Sequence, residues 1–218
     1  MDYAILSGGD VGPLGDEAVS QLHRLFHWAE GSHKGLLIFV DEAEAFLSAR
    51  GSGGADDPHS RHALNALLFH TGTQSTKFAL ILATNRPEDL DKAILDRMDT
   101  SIKIDVPQYA ERLSLSKLYM QEHVVAVAAK SKGRGLFSMF AKKQHLQDEC
   151  LKEEVMANIA KRSGGFSGRE ISKLFIAVQY AMLLAEGQTL TKELLQATFH
   201  AKLMEHKYKQ EIEKSDDR

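Results

Sequence analysis

The chain has 218 residues, of which 43% are hydrophobic and 26% are charged, and its formal net charge is −3 at pH 7. This composition is ordinary for a globular protein of one domain or two small ones, and it gives no global electrostatic case for nucleic-acid binding. The single cysteine, Cys150, excludes an internal disulfide, and no apolar run approaches the roughly 18 residues that span a membrane.

The start of the chain has the pattern of a β-α-β unit. Residues 2–7 predict a short buried strand, and the glycine-rich stretch 8–15 predicts a loop. Residues 16–30 carry apolar side chains at helical spacing. The wholly apolar run 36–40 then predicts a strand that is buried on both faces of a parallel sheet.

Two carboxylates, Asp41 and Glu42, follow this run directly. Ligands of open α/β sheets gather at the carboxyl ends of the strands, and adjacent residues there point in different directions. One carboxylate can therefore hold a hydrated Mg²⁺ while the other orients and deprotonates a water, as in nucleotide hydrolases. In the alternative interpretation, Asp41 is the N-cap of a helix over 43–49, with Glu44 as its capping-box partner.

A loop at 50–58 and a helix at 60–70 lead to a second apolar run, 77–84, which predicts another buried strand. Asn85 follows this strand. A neutral amide there can hold an attacking water or a terminal phosphate without adding negative charge. The alternative is that Asn85 is simply a turn residue.

After a helical turn at 93–98, the alternating stretch 101–106 predicts an edge-like strand that Pro107 ends. A domain boundary is expected near Pro107, because the pattern beyond it is helical. The predicted helices cover residues 110–129, 146–163, 167–185 and 191–209, and a charged, frayed tail follows at 211–218.

Three motifs, in this order, resemble the AAA ATPase family. Residues 35–46 resemble its Walker B motif, 83–85 resemble sensor 1, and 164–171 resemble the start of the sensor 2 helix. Within that family, Met-Asp-Tyr-Ala at 1–4 and Gly-Gly-Asp-Val at 8–11 are similar to a mitochondrial group, the "ATPase family AAA domain-containing protein 3" group. The resemblance covers nearly all of residues 1–201.

The resemblance implies an α/β fold in two parts. Residues 1–107 would be a partial AAA core, an incomplete parallel sheet sandwiched by helices. Residues 108–210 would be a small all-α lid domain, and 211–218 a charged tail.

The resemblance also assigns roles to single residues, with ATP and Mg²⁺ as cofactors. Asp41 would hold Mg²⁺, mostly through water. Glu42 would polarise the attacking water, and Asn85 would position that water and the γ-phosphate.

Two further contacts to nucleotide are implied. Arg97 resembles an arginine finger that reaches the nucleotide of a neighbouring subunit, although it could instead pair with Asp96 or Asp99 in its own chain. Gly168 and Arg169, at the start of the sensor 2 helix, would bind nucleotide from the lid.

For partners, the resemblance implies self-association into a ring, a hexamer, at the mitochondrial inner membrane, with a role in membrane and nucleoid organisation. The insertion 130–143 has five basic and no acidic residues, with aromatic residues between them. Such a segment can contact anionic lipid or the nucleoid. The alternative, which we favour from the sequence, is an exposed insertion in the lid without a ligand.

One motif of the family is absent, because no Gly-x-x-x-x-Gly-Lys-Ser/Thr occurs in the 218 residues. That Walker A loop cradles the phosphates. We therefore expect the chain to be the C-terminal part of a longer ATPase, and we expect the 218 residues alone to bind ATP poorly. The alternative is a non-catalytic interaction or scaffold protein with an AAA fold. A severing or proteolytic ATPase is disfavoured, because threading ATPases carry an aromatic residue where this chain has Pro13 and Leu14.

Overall fold

The computed structural model describes residues 1–11, 14, 17–48, 58–130 and 145–216. The chain divides into two compact units, Met1–Ile102 and Lys103–Arg218. Each unit has its own hydrophobic core.

The first unit is built on a parallel sheet of three strands in the order β1-β2-β3. The strands are β1 (Asp2–Ser7), β2 (Leu36–Asp41) and β3 (Phe78–Leu82). Ser7 pairs with Asp41, and Val40 pairs with Leu82, so all three strands end at one edge of the sheet. The predicted α/β fold with a parallel sheet is confirmed.

Five α-helices and one 3₁₀ helix (Pro87–Asp89) accompany this sheet in the described part of the first unit. The α-helices are α1 (Gly8–Val11), α2 (Glu17–Gly31), α3 (Glu44–Leu47), α4 (Pro58–His70) and α5 (Lys92–Leu95). The prediction of a loop from Gly8 onward was wrong for α1, where the chain turns directly from β1 into a helix. A connection this tight is possible because Gly8 has no side chain to collide with the backbone beneath it.

Helices cover one face of the sheet in the described residues. Leu36, Ile38 and Val40 point into the core with the helices. On the opposite face, Ile5 is 70% exposed and Ile81 is 46% exposed. The prediction of buried strands was therefore wrong for this face of β1 and β3.

The prediction of a strand over 101–106 was also wrong, since the chain is not in a strand there. Ile102 and Ile104 are 81% and 90% exposed. A strand is defined by hydrogen bonds to a neighbour, and the alternating pattern alone does not provide one.

The second unit is mainly helical. Its helices are α6 (Tyr109–Tyr119), α7 (Ala126–Lys130), α8 (Glu153–Arg162), α9 (Gly168–Leu184) and α10 (Lys192–Asp216), and a π-helical stretch, Met120–Val125, joins α6 to α7. None of the helices in the described ranges is long and apolar enough to cross a membrane. The insertion predicted to bind lipid or nucleoid lies, apart from Lys130, outside the described residues.

Two details of the second unit correct the sequence analysis. Residues 146–152 are not α-helical, because β4 (His145–Leu146) pairs in parallel with β5 (Thr189–Leu190) and a 3₁₀ turn follows. The unit is thus not purely helical. The tail is not frayed from residue 211, because α10 continues to Asp216.

Candidate active site

The two carboxylates lie where β2 leaves the core. Val40 is 2% exposed, whereas Asp41 and Glu42 are both exposed. Helix α3 begins at Glu44, and the residue at its N-cap, Ala43, makes no side-chain capping bond. Asp41 instead accepts a hydrogen bond at Oδ1 from the Glu42 N–H, at 2.9 Å. The alternative interpretation of Asp41 as a helix cap was therefore wrong.

Glu42 has an unusual backbone, with φ at +51°. Residues other than glycine seldom occupy this left-handed region, and they are kept there by surrounding contacts, often at functional sites. One such contact comes from β1, because the Ser7 hydroxyl donates to Glu42 Oε2 at 3.4 Å. The Gly9 N–H in turn donates to Ser7 Oγ at 3.3 Å. The end of β1 thus lies beside the Glu42 carboxylate and contacts it through one long hydrogen bond.

Gly8 packs directly on the Glu42 peptide. A Cβ atom at Gly8 would lie closer than 3.0 Å to the Glu42 carbonyl oxygen and 2.7 Å from the Ala45 Cβ. No side chain fits in that space. Helix α1 can therefore support the turn at Glu42 only because residue 8 is glycine.

The end of β3 brings Asn85 to the same edge of the sheet. The Ala83 N–H donates to the Val40 carbonyl at 2.8 Å, and the Ala83 carbonyl accepts from the Ala43 N–H at 3.0 Å. Ala83, two positions before Asn85, is thus hydrogen-bonded to Val40 and Ala43, the residues on either side of Asp41 and Glu42. The structure therefore brings Asp41, Glu42 and Asn85 to one sheet edge, where Asn85 is exposed.

Arg97 follows α5 on the surface of the same unit. The loop before α5 is anchored by the Asp91 N–H, which donates to the Leu47 carbonyl at 2.8 Å. Arg97 is exposed, and its Nη1 donates to the Ala93 carbonyl at 2.6 Å. Its guanidinium is thus bound to its own helix in this structure, and we find no ion pair with Asp96 or Asp99, both of which the structure describes.

The remaining two predicted residues, Gly168 and Arg169, lie in the second unit as the first residues of α9. Ser167 caps this helix, accepting from the Glu170 N–H at 3.2 Å, while Glu170 Oε2 accepts from the Ser167 N–H at 2.9 Å. This capping box was not predicted, although Ser167 and Glu170 have the Ser-x-x-Glu spacing that indicates one. The N-terminus of a 17-residue helix with an arginine beside it favours an anion.

Burial and hydrogen bonding act in opposite directions on Glu170. Burial raises the pKa of its carboxyl, but hydrogen bonds from Ser167 and His206 outweigh this effect, and the pKa lies below its ordinary value of 4.5. Glu170 is therefore ionised at neutral pH, and its charge is directed at the helix cap and at His206.

The residues at the sheet edge can supply part of a Mg²⁺ site and part of an ATP site. An exposed carboxylate such as Asp41 suits a magnesium ion that keeps most of its waters. No cluster of three or more His, Cys, Asp or Glu residues suited to a metal ion occurs in the described ranges. For ATP, the 218 residues contain no Walker A motif. A cavity of ≈ 340 Å³ beside α2 is lined mostly by apolar residues, such as Leu22 and Trp28, and none of the predicted site residues lines it.

Comparison with known proteins shows which family has this arrangement. Residues 1–106 match the family described as "ATPase family associated with various cellular activities (AAA)". This part of the chain belongs to the AAA family. The predicted resemblance is confirmed.

Relatives extend the similarity through the second unit. The chain is 38% identical over 212 residues to "ATPase family AAA domain-containing protein 3" of Caenorhabditis elegans, covering 97% of this chain and 34% of that protein. It is 41% identical over 209 residues to "ATPase family AAA domain-containing protein 3-A" of Xenopus laevis, covering 96% and 33%. It is 37% identical over 209 residues to "ATPase family AAA domain-containing protein 3A" of Homo sapiens, covering 96% and 34%. The chain thus spans about a third of the length of these relatives.

Proposed function

We propose that the chain is the part of an AAA ATPase that carries out ATP hydrolysis and senses the bound nucleotide. Asp41 holds a hydrated Mg²⁺, and Glu42 orients and polarises the water that attacks the γ-phosphate. Asn85 positions this water and the phosphate. Gly168 and Arg169, in the second unit, bind nucleotide as well.

The arrangement at the sheet edge carries the proposal. Glu42 is exposed to water, yet its backbone is fixed in a left-handed conformation and its carboxylate is bonded to Ser7. A catalytic base needs both properties, since it must reach a water and must not lose its orientation. A merely structural acidic residue at a strand end needs neither.

The assembly follows from the chemistry of the exposed arginine. Arg97 can release the Ala93 carbonyl and bind the transferred phosphoryl group of a neighbouring subunit, where a guanidinium stabilises developing charge. We therefore propose a ring, a hexamer by family resemblance, with nucleotide at the subunit interfaces. By similarity to the relatives we further propose a mitochondrial inner-membrane location and a role in membrane or nucleoid organisation, with the insertion 130–143 as the segment that contacts anionic lipid or nucleoid.

The test is a Glu42→Gln substitution in the native protein, with whatever sequence flanks residues 1–218 there. Removing the general base should lower ATP turnover by about 10²–10⁴-fold, because an amide cannot take a proton from water. ATP binding should persist, because the amide keeps the size and shape of the carboxylate. Glu17→Gln, at an exposed position at the start of α2, is the matched control and should retain wild-type turnover. Equal turnover by the two variants would refute the role of Glu42.

The absence of a Walker A motif from the 218 residues favours a second candidate, a scaffold with an AAA fold. The same experiment separates the two. A native protein that self-associates but shows no ATP turnover, with or without Glu42→Gln, is a scaffold.

A further inference from the structure

Glu170 and His206 join the start of α9 to the middle of α10. Glu170 Oε1 lies 2.8 Å from His206 Nδ1, while Oε2 accepts from the Ser167 N–H at 2.9 Å and from the Ser167 hydroxyl at 3.0 Å. The His206 side chain is only 11% exposed, and that of Glu170 is 27% exposed. The two oxygens of one carboxylate thus serve two partners: one holds the helix cap, and the other holds the next helix.

Glu170 is the acceptor in its contact with His206. An ionised carboxylate only accepts, so the proton between the two side chains is on His206 Nδ1. The opposite ring nitrogen, Nε2, lies 2.9 Å from the side-chain amide nitrogen of Gln210.

The loop before α9 is folded against the same imidazole ring. Phe166 is 2% exposed, and its ring centroid lies 4.5 Å from that of His206. Gly165 has φ at +85°, and a Cβ atom there would lie 3.3 Å from His206 Nε2. His206 thus packs against Phe166, just before the cap residue Ser167, and hydrogen-bonds to Glu170, three positions after Ser167.

We propose that His206 is a positioning residue for nucleotide: through Glu170 it fixes the first turn of α9 and so the direction in which Arg169 is presented. This inference rests on the proposed function, because it gives that turn a ligand. Arg169 lies in sequence between the two members of the capping box, Ser167 and Glu170. When Glu170 loses its contact to α10, its carboxylate can rotate away from Ser167, and the turn that carries Arg169 loses its brace.

Two substitutions separate the hydrogen bond from the packing. His206→Asn keeps an N–H donor near the position of Nδ1 but removes the ring beside Phe166. His206→Phe keeps a ring and removes the donor. His200→Phe, at an exposed position on the same helix, is the matched control. Each variant is made in the native protein.

The first readout is amide hydrogen exchange in the first turn of α9, which needs no nucleotide. The Glu170 N–H bonds to the Ser167 hydroxyl, and the Ile171 N–H bonds to the Ser167 carbonyl, so both report on the cap. In His206→Phe these amides should exchange about tenfold faster, the effect of losing one hydrogen bond to a charged group. They should exchange at the wild-type rate in His206→Asn and in His200→Phe.

The second readout is steady-state ATP hydrolysis. His206→Phe should raise KM for ATP about tenfold with kcat nearly unchanged, since Arg169 is misplaced while Glu42 is not. His206→Asn should restore KM.

Each other outcome decides against the inference. Fast exchange in His206→Asn with slow exchange in His206→Phe would show that the ring, not the donor, supports the turn. Fast exchange in His206→Phe with wild-type KM would show that the turn does not meet nucleotide. A wild-type protein that neither binds nor hydrolyses ATP would overturn the proposed function itself, and this inference with it.

Discussion

A methyl group at Gly8 should damage the site without touching a catalytic side chain. In Gly8→Ala, the new Cβ would meet the Glu42 carbonyl oxygen and the Ala45 Cβ, both at distances that real Cβ atoms essentially never show. Neither neighbour is the flexible end of a long side chain, so the backbone must move. The turn that holds Glu42 in its left-handed conformation is the part that would be displaced.

The expected magnitude follows from the size of the overlap. Ordinary contact at a Cβ is 3.4–4 Å, and the Gly8 position falls short of it on two sides. Overpacking of this kind usually costs about 1–3 kcal/mol. For a unit of this size, a loss of about 2 kcal/mol lowers the melting temperature by roughly 8–16 °C.

The assay is thermal unfolding followed by circular dichroism, together with ATP turnover of the native protein. Gly31→Ala is the control, because no atom lies within 4 Å of a Cβ at Gly31 and its backbone needs no positive φ. That variant should match the wild type or gain up to about 1 kcal/mol. If Gly8→Ala has the same melting temperature as Gly31→Ala and keeps wild-type ATP turnover, then α1 does not pack on the Glu42 peptide as described.

Two further predictions concern one unit each. The pKa of His70 lies below its ordinary value of 6.5, because burial and the neighbouring His23 disfavour its charged form more than Glu30 favours it. His23 Nδ1 lies 2.7 Å from His70 Nε2. As pH falls, the unfolded chain therefore binds this proton before the folded chain does, so the first unit should be most stable above about pH 6.5 and should lose stability below it. His70→Gln should make a plot of melting temperature against pH flatter in this range, and equally steep plots for wild type and variant would contradict the prediction. Ser167→Ala should lower the free energy of unfolding of the second unit by about 1 kcal/mol in a guanidinium titration, as loss of a helix cap does, whereas Ser114→Ala, at an exposed position on α6, should change it little; equal effects of the two would mean that the cap is not formed.

The sequence predicted the sheet but not how its two faces differ. Apolar runs correctly marked β1, β2 and β3, because runs of this length bounded by turn residues are typical of strands and too short for most helices. The same runs could not show that Ile5 and Ile81 face away from the helices. An apolar side chain favours burial, but the sequence pattern does not show whether another part of the chain covers it. The stretch 101–106 failed for the related reason that alternation cannot supply a hydrogen-bonding neighbour.

The candidate site was predictable to the extent that it is local. Asp41, Glu42 and Asn85 each follow an apolar run, and the common edge of a parallel sheet brings them together. The conformation of Glu42 could not be predicted, because a glutamate in a sequence does not indicate a positive φ. Its contact with Ser7 could not be predicted either, because the two residues are 35 positions apart in the sequence. His206 was missed for the same reason, being 36 positions from the carboxylate that it contacts.

The two units use serine and glutamate in opposite ways, and the difference separates the carboxylate proposed to be catalytic from a structural one. In the second unit both oxygens of Glu170 are taken, by Ser167 and by His206, and its charge stabilises a helix cap. In the first unit Ser7 reaches one oxygen of Glu42 at 3.4 Å, a long bond that orients the side chain and leaves it exposed. A carboxylate whose two oxygens are both hydrogen-bonded to the protein takes a proton from water less readily than one that is largely open to solvent. Glu42 is thus the acidic residue whose surroundings suit proton transfer, while Glu170 is suited to hold Arg169 in place.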